Sequence, residues 1–355
     1  MRYFSVAILS PSLCLIFVLL CAGSNASAQA PPRPRVDVRL ITDEADAVLQ
    51  ILAKREGSQE ITEEDWRKVF SSEGYVRLKK RELAMRRPFE DADFKNFVLS
   101  ADLLRRREAL AETLTKWEGT DVGGVAALSL AYLPKTARIR AKVYPVIKPR
   151  DNSFVFDIPD DPAIFMYLDP AQSKEEFESD LAHELHHIGF GTACPNERAA
   201  AAARKLSPDA QRALKWVGGF GEGFAMLAAA GGPDVHPHRF SPPEDRARWD
   251  RDVANFNNDL RTVEKFFLDL AGGKLSEKEE TEKAFSFYGV QGPWYTVGWR
   301  MAVVIEKASG RDRLIEVMCD QRRLLPEYNK AVKKYNRRNN QQLALWSKEL
   351  LGKLK

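Results

Sequence analysis

Residues 183–187 read His-Glu-Leu-His-His, and within them His183, Glu184 and His187 form the spacing HExxH. On a helix, positions i and i+4 share a face, so both imidazoles can reach one metal ion. Glu184, next to the first histidine, can reach past the metal to a water and take its proton. Zinc suits the pattern: neutral imidazole nitrogen is a preferred ligand, and an open fourth position lets the ion lower the pKa of a bound water toward about 7. The chemistry on offer is metal-assisted hydrolysis. One zinc ion per chain is expected, with His183 and His187 as two of its ligands and Glu184 as general base.

A catalytic zinc needs a third protein ligand. A glycine three residues after His187 and a histidine three further on would define one branch of this chemistry, but Phe190 and Ala193 stand there. The better candidate is Glu222 in Gly-Phe-Gly-Glu-Gly-Phe-Ala, which opens an apolar, small-residue segment 35 residues after His187. A lone acid in such surroundings should be paired or metal-bound, because an isolated buried carboxylate is costly. The small residues also let helices approach closely. Glu197, beside Arg198, and His236 and His238, in a Pro-rich and mobile-looking loop, are weaker competitors. Catalysis further needs a group to stabilise the oxyanion opposite the metal. Tyr295, near a glycine-rich helix start, is the first candidate and Tyr288 the second; the alternative for Tyr295 is a buried aromatic cluster with Trp294 and Trp299. His186 reads as a surface histidine or a support for the ligands.

These residues need elements to hold them. Ser173 is a good N-cap, with Glu175 and Glu176 in the first turn of the helix that carries the histidines. Short strands precede it: period-two alternation over 137–147, a continuation over 153–156 and an apolar run over 163–168, joined by Pro/Asp turn signals. A further short strand is expected over 36–41. Residues 42–133 are otherwise dominated by helical periodicity, with starts at Thr42 and at Thr62, where Asp65 completes a capping-box pattern, and further helices over 75–85, 91–104 and 105–117. The basic run Arg105-Arg106-Arg107 reads as a solvated helix face. After residue 173 only helices are expected, with breaks near Gly191, Gly218-Gly219, 231–242, Gly272-Gly273, 289–293 and Pro326. The fold class is mainly α with a small sheet, α+β. The expected organisation is an N-terminal helical region over 29–134, a catalytic core over 135–310 and C-terminal helices over 311–355.

The strands, the segment LAHELHHIGFG and the later GEGFA together resemble the gluzincin metallopeptidases, in particular an uncharacterised bacterial family of zinc-dependent peptidases with HExxH followed by an EGxA-type helix. The resemblance covers about a quarter of the chain strongly, from near Val143 to Ala230. It implies a thermolysin-like core in which His183, His187 and Glu222 hold zinc and Glu184 is the base. It also implies that the strand just before the HExxH helix lies along the cleft and can pair with an extended substrate. Met226, four residues after Glu222, departs from the aspartate that thermolysin has there.

The whole chain sets the context. Its 355 residues are 44% hydrophobic and 29% charged with a net charge of +4, which excludes a disordered polymer, and the mixed charges imply no nucleic-acid partner. Arg2, the apolar run 13–22 and Ala26-Ser27-Ala28 read as a signal peptide cleaved before Gln29, so the mature chain is expected to be exported, periplasmic or extracellular, and not stably inserted in a membrane. Leu19-Leu20 before Cys21 argues against lipidation. Cleavage removes Cys14 and Cys21 and leaves Cys194 and Cys319, which either bridge in an oxidising compartment or stay as separate buried thiols. The expected function is hydrolysis of peptide or protein substrates; the alternative is a non-catalytic zinc-containing binding or structural protein of the cell envelope.

Overall fold

The computed structural model describes residues 35–194, 197–340 and 342–355. The signal peptide, its cleavage site, Cys14 and Cys21 lie outside the described residues.

Strand β1 (Val36–Leu40) leads into seven helices: α1 (Asp43–Glu56), α2 (Glu63–Ser71), α3 (Glu73–Ala84), α4 (Asp91–Val98), α5 (Ala101–Arg105), α6 (Arg107–Glu118) and α7 (Val122–Leu130). Then come β2 (Ile139–Val146), β3 (Phe154–Phe156), β4 (Ala163–Tyr167) and the long α8 (Lys174–Ala193). The rest is helical: α9 (Glu197–Ala203), α10 (Pro208–Val217), a 3-10 turn (Gly218–Phe220), α11 (Gly221–Ala230), α12 (Pro243–Ala254), α13 (Phe256–Ala271), α14 (Glu277–Ser286), α15 (Pro293–Ser309), α16 (Arg311–Met318), α17 (Gln321–Asn336) and α18 (Lys348–Lys353). The fold is thus mainly α with one small mixed sheet.

Local chemistry explains most boundaries. Thr62 and Asp65 close the expected capping box, and Asp65 also binds Lys54 of α1. The helix expected over 91–104 is two, because the Ser100 hydroxyl accepts from the Leu103 amide and starts a new helix there. One expected break is absent, and one falls slightly later than expected. The break expected near Gly191 comes at Cys194, where α8 ends, and Pro326 lies inside α17 near its start, where its missing N–H costs a single helical bond.

The sheet runs β1-β2-β4-β3, parallel except for the antiparallel pair β3–β4. Pro145 sits in β2 without cost to the ladder: β1 ends opposite Val143, so the prolyl nitrogen looks past the end of its neighbour. The pairing corrects one expectation. β4 is not a free strand along the cleft, since β2 bonds one side of it and β3 the other over Ala163–Phe165, and the Tyr167 amide donates to Ser153. The edge on that side of the sheet is β3.

Two hydrophobic cores form. The first joins helices α1–α7 to one sheet face and to Phe177, Leu181, Leu185 and Ile188 of α8. The second is all-helical and aromatic, with Phe220, Phe224, Phe267, Trp294 and Trp346 at its centre. A smaller cluster, including Leu78, Tyr144 and Phe165, covers the other sheet face. The two main cores meet where α8 packs against α11, and Phe190 touches both. A disulfide from Cys194, just after α8, to Cys319, just after α16, ties them together with a Cα–Cα distance of 4.8 Å. Of the two readings of these cysteines, the bridge is the one realised.

Candidate metal centre

Helix α8 starts as its sequence directs: the Ser173 hydroxyl accepts from the Glu176 amide, and Glu175 and Glu176 oppose the helix dipole. Its buried face packs on the first core, which turns His183 and His187 toward α11. Glu222 lies in the first turn of α11, where the dipole also favours a carboxylate. Gly223 lets this helix come very close to α15, because a Cβ there would collide with the backbone nitrogen of Trp299 and the carbonyl oxygen of Tyr295. The small residues around Glu222 thus serve a close contact with α15.

The three candidate ligands converge. His187 Nε2 lies 2.9 Å from His183 Nε2 and 3.2 Å from Glu222 Oε2, and His183 Nε2 lies 3.3 Å from the same oxygen. Among the described residues this trio is the group of His, Cys, Asp or Glu side chains arranged to hold a metal ion. A tetrahedral ion with ligands about 2.0–2.1 Å away has ligand edges of about 3.3 Å, so the triangle matches one face of a zinc coordination tetrahedron. Two imidazole nitrogens pointed at one carboxylate oxygen also suit zinc chemically, with a fourth position left open. Glu222 holds the His187 imidazole up at about 9 although burial works the other way, and the imidazoles in turn pull Glu222 well below the usual carboxylate range against its own desolvation. Metal loading would therefore release protons.

A model of the family described as "Putative zinc dependent peptidase (DUF5700)" matches residues 41–337. The chain belongs to this family. No curated protein and no solved structure matches. The family match takes in α1 through the whole of α17, so the N-terminal helices belong to the family unit as much as the HExxH segment does, well beyond the quarter of the chain that carries the motifs.

Around the triangle, burial pushes the Glu184 carboxyl up, the two imidazoles pull it down, and Glu222 adds repulsion; the net shift is upward. Tyr295 of α15 stacks on His183 with ring centroids 6.1 Å apart and planes at 16°, and its phenol interacts with Glu222. Burial foremost, then Glu222, raises its pKa, so the phenol stays protonated and donates. Tyr288 stands behind it, with ring centroids 6.5 Å apart. Trp294, one residue before Tyr295, points instead into the aromatic core, and Trp299 packs edge-on against Trp249. Neighbours in sequence are thus split between site and core.

The competitors go elsewhere. Glu197 pairs with Arg204. His236 Nε2 lies 3.0 Å from Asp250, and His238 Nδ1 lies 3.0 Å from the Ser241 hydroxyl, with its ring packed on Trp249, so this loop is tied down. His186 is buried, and its ring meets Phe224 edge-on at 4.7 Å; it is neither ligand nor surface residue. Asp180, which sequence reasoning passed over, lies on the same face of α8 as His183. The four-residue spacing of Glu176, Asp180 and Glu184 was the signal that could have found it.

Proposed function

We propose that the chain is an exported zinc metallopeptidase of gluzincin type, in which His183, His187 and Glu222 hold one zinc ion. The observation that carries this is the triangle of donor atoms with Glu184 one residue beyond its first member. Zinc, when bound, supplies a Lewis acid that polarises the substrate carbonyl and makes water acidic enough to attack it at neutral pH. Glu184 accepts the proton of the attacking water and passes it to the leaving amine; its raised pKa brings it nearer the working pH for both transfers. Tyr295, protonated and beside Glu222, is placed to donate a hydrogen bond as charge builds on the carbonyl oxygen, with Tyr288 at its back.

A thermolysin-like arrangement is supported by the HExxH helix packed on a small mixed sheet. Strand-like pairing of a substrate would fall to the edge strand β3. Export is supported by the signal-like N-terminus and by the Cys194–Cys319 bridge, a bond that oxidising compartments preserve. No helix of the described residues is long and apolar enough to cross a membrane.

The test is metal content and peptide cleavage together. Purified chain should carry about one zinc, lost in His183→Ala, His187→Ala and Glu222→Ala. Glu184→Gln should keep the zinc and lose cleavage of an unbiased peptide library by about 10³-fold or more. Wild-type protein without zinc would sink the proposal. Zinc without cleavage would leave a non-catalytic zinc protein.

A further inference from the structure

Three lysine or arginine side chains are buried among the described residues: Arg77, Arg81 and Lys148. Arg77 pairs with Asp161, and Arg81 pairs with Glu82. Lys148, just after β2, is only 5% exposed and has no carboxylate partner among the described residues. Its Nζ donates to the Arg150 carbonyl oxygen and to Asn152 Oδ1, the latter 2.9 Å away, and both acceptors are neutral. An ammonium has three N–H groups, and the third finds no acceptor among the described residues. The rings of Phe154 and Tyr167 stand 5.5 and 5.4 Å from the nitrogen, which eases the charge without cancelling it. A buried charge without a counter-ion is costly. Burial foremost pushes this ammonium down to about 8; Glu82 and Asp151 oppose that shift, and Arg81 and Arg150 add to it.

Lys148 also stands at a cavity. A space of about 260 Å³ opens between the turn that joins α3 to α4 and the segment that follows β2. Leu78, Phe89, Phe94 and Pro149 give it apolar walls, and Lys148 lines it together with Arg150 and Asn152, the residues that accept from its Nζ. The acids that line it are already engaged. Glu82 binds Arg81 and Arg87, and Asp93 accepts from the Glu90 amide at the start of α4.

We propose that this cavity binds a small monocarboxylate with a flat apolar body, its carboxylate on Lys148 and its body against Leu78, Phe89 and Phe94. One buried ammonium matches one negative charge, whereas a phosphate dianion would bring a second charge toward Glu82 and Asp93. The volume lies just under the lower end of small-ligand pockets, about 300 Å³, so the occupant is small. It is a free acid or the C-terminus of a peptide that ends in an apolar residue. None of the metal-centre residues lines this cavity, so the site stands whether or not the chain is a peptidase.

Calorimetric titration of the purified full chain tests it. Hydrocinnamate should bind with a dissociation constant of about 1 mM or tighter, and its uncharged amide about tenfold more weakly. Lys148→Met should remove that difference and melt no lower than wild type, because an apolar side chain of similar length suits the buried position. Asn152→Asp places a counter-ion beside Nζ at an exposed position; it should weaken hydrocinnamate about tenfold and leave the amide unchanged. An N-acetylated tripeptide ending in phenylalanine distinguishes the sources. Tighter binding of the tripeptide than of hydrocinnamate assigns the site to peptide ends, and the opposite order assigns it to free acids. Equal binding of hydrocinnamate and its amide by wild type, or a preference for the acid that survives in both variants, would overturn the site.

Discussion

The two cores bring their ligands to one point by different means. The first has a sheet behind it, and α8 is a 20-residue helix held along its length by Phe177, Leu181, Leu185 and Ile188, with Phe177 stacked on Trp117 at 4.0 Å. The second has no strand among the described residues, and α11 is a 10-residue helix, buried along most of its length, that packs on α8 and crosses α15 backbone against backbone at Gly223. Their buried carboxyls differ too. In the second core Glu264, Glu280 and Glu327 each pair with an arginine, Arg261, Arg212 and Arg313. In the first, Asp65 pairs with Lys54, but Glu44 is 1% exposed and accepts from the Ile147 amide. The histidine side is therefore held by side-chain packing on a sheet-backed core, and the glutamate side by a backbone-close crossing with α15 together with its packing on α8.

The sharpest way to break this contrast is a methyl group on each helix. Gly223→Ala should destabilise the fold by about 3 kcal/mol or more and weaken zinc binding, because the new Cβ meets backbone that cannot step aside. Gly191→Ala in α8 should stay within about 1 kcal/mol of wild type, since its Cβ would meet only the Ile158 side chain, at 3.3 Å, and alanine favours a helix. Thermal denaturation with zinc titration reads both, and equal effects would erase the distinction.

Metal removal comes next. The ligands come from both cores, so zinc at a hundred times its dissociation constant should add about 2.7 kcal/mol to stability. A chelator should abolish that gain in wild type and change nothing in Glu222→Ala.

The third concerns pH and belongs to the first core alone. Burial foremost raises Glu44 from 4.5 to about 8, against the Ile147 hydrogen bond that favours its ionised form. The folded state thus prefers the protonated acid, so this group costs nothing below about pH 4.5, and the fold loses stability progressively as pH rises from there to about 8. Glu44→Gln keeps an acceptor for Ile147 without the charge. Denaturant melts should find it near wild type at pH 5 and more stable by on the order of 2 kcal/mol at pH 8.5. The smallest effect is Arg105→Ala, which removes an exposed ion pair with Asp102 and should shift stability by no more than about 0.5 kcal/mol.

How far the sequence announced all this depends on whether the cause was local. Ser173 at the start of α8, the Thr62–Asp65 box and the alternating strands are written in a few adjacent residues, and they fold as read. The convergence of His183, His187 and Glu222 was also legible, because an acid in an apolar, glycine-rich segment has few other uses. What escaped depends on distant partners. That β3 would cover β4 is a matter of pairing, which alternation does not encode. That Tyr295 would face the site while Trp294 faces the core depends on where α15 crosses α11. Pro326 reads as a break, yet packing carries α17 through it.

The bridge from Cys194 to Cys319 spans 125 positions, including the whole exposed turn region around Phe240. A single cut in that span would leave no loose half: both fragments would stay covalently joined. Such a nicked molecule would run as one band without reductant and as two with it.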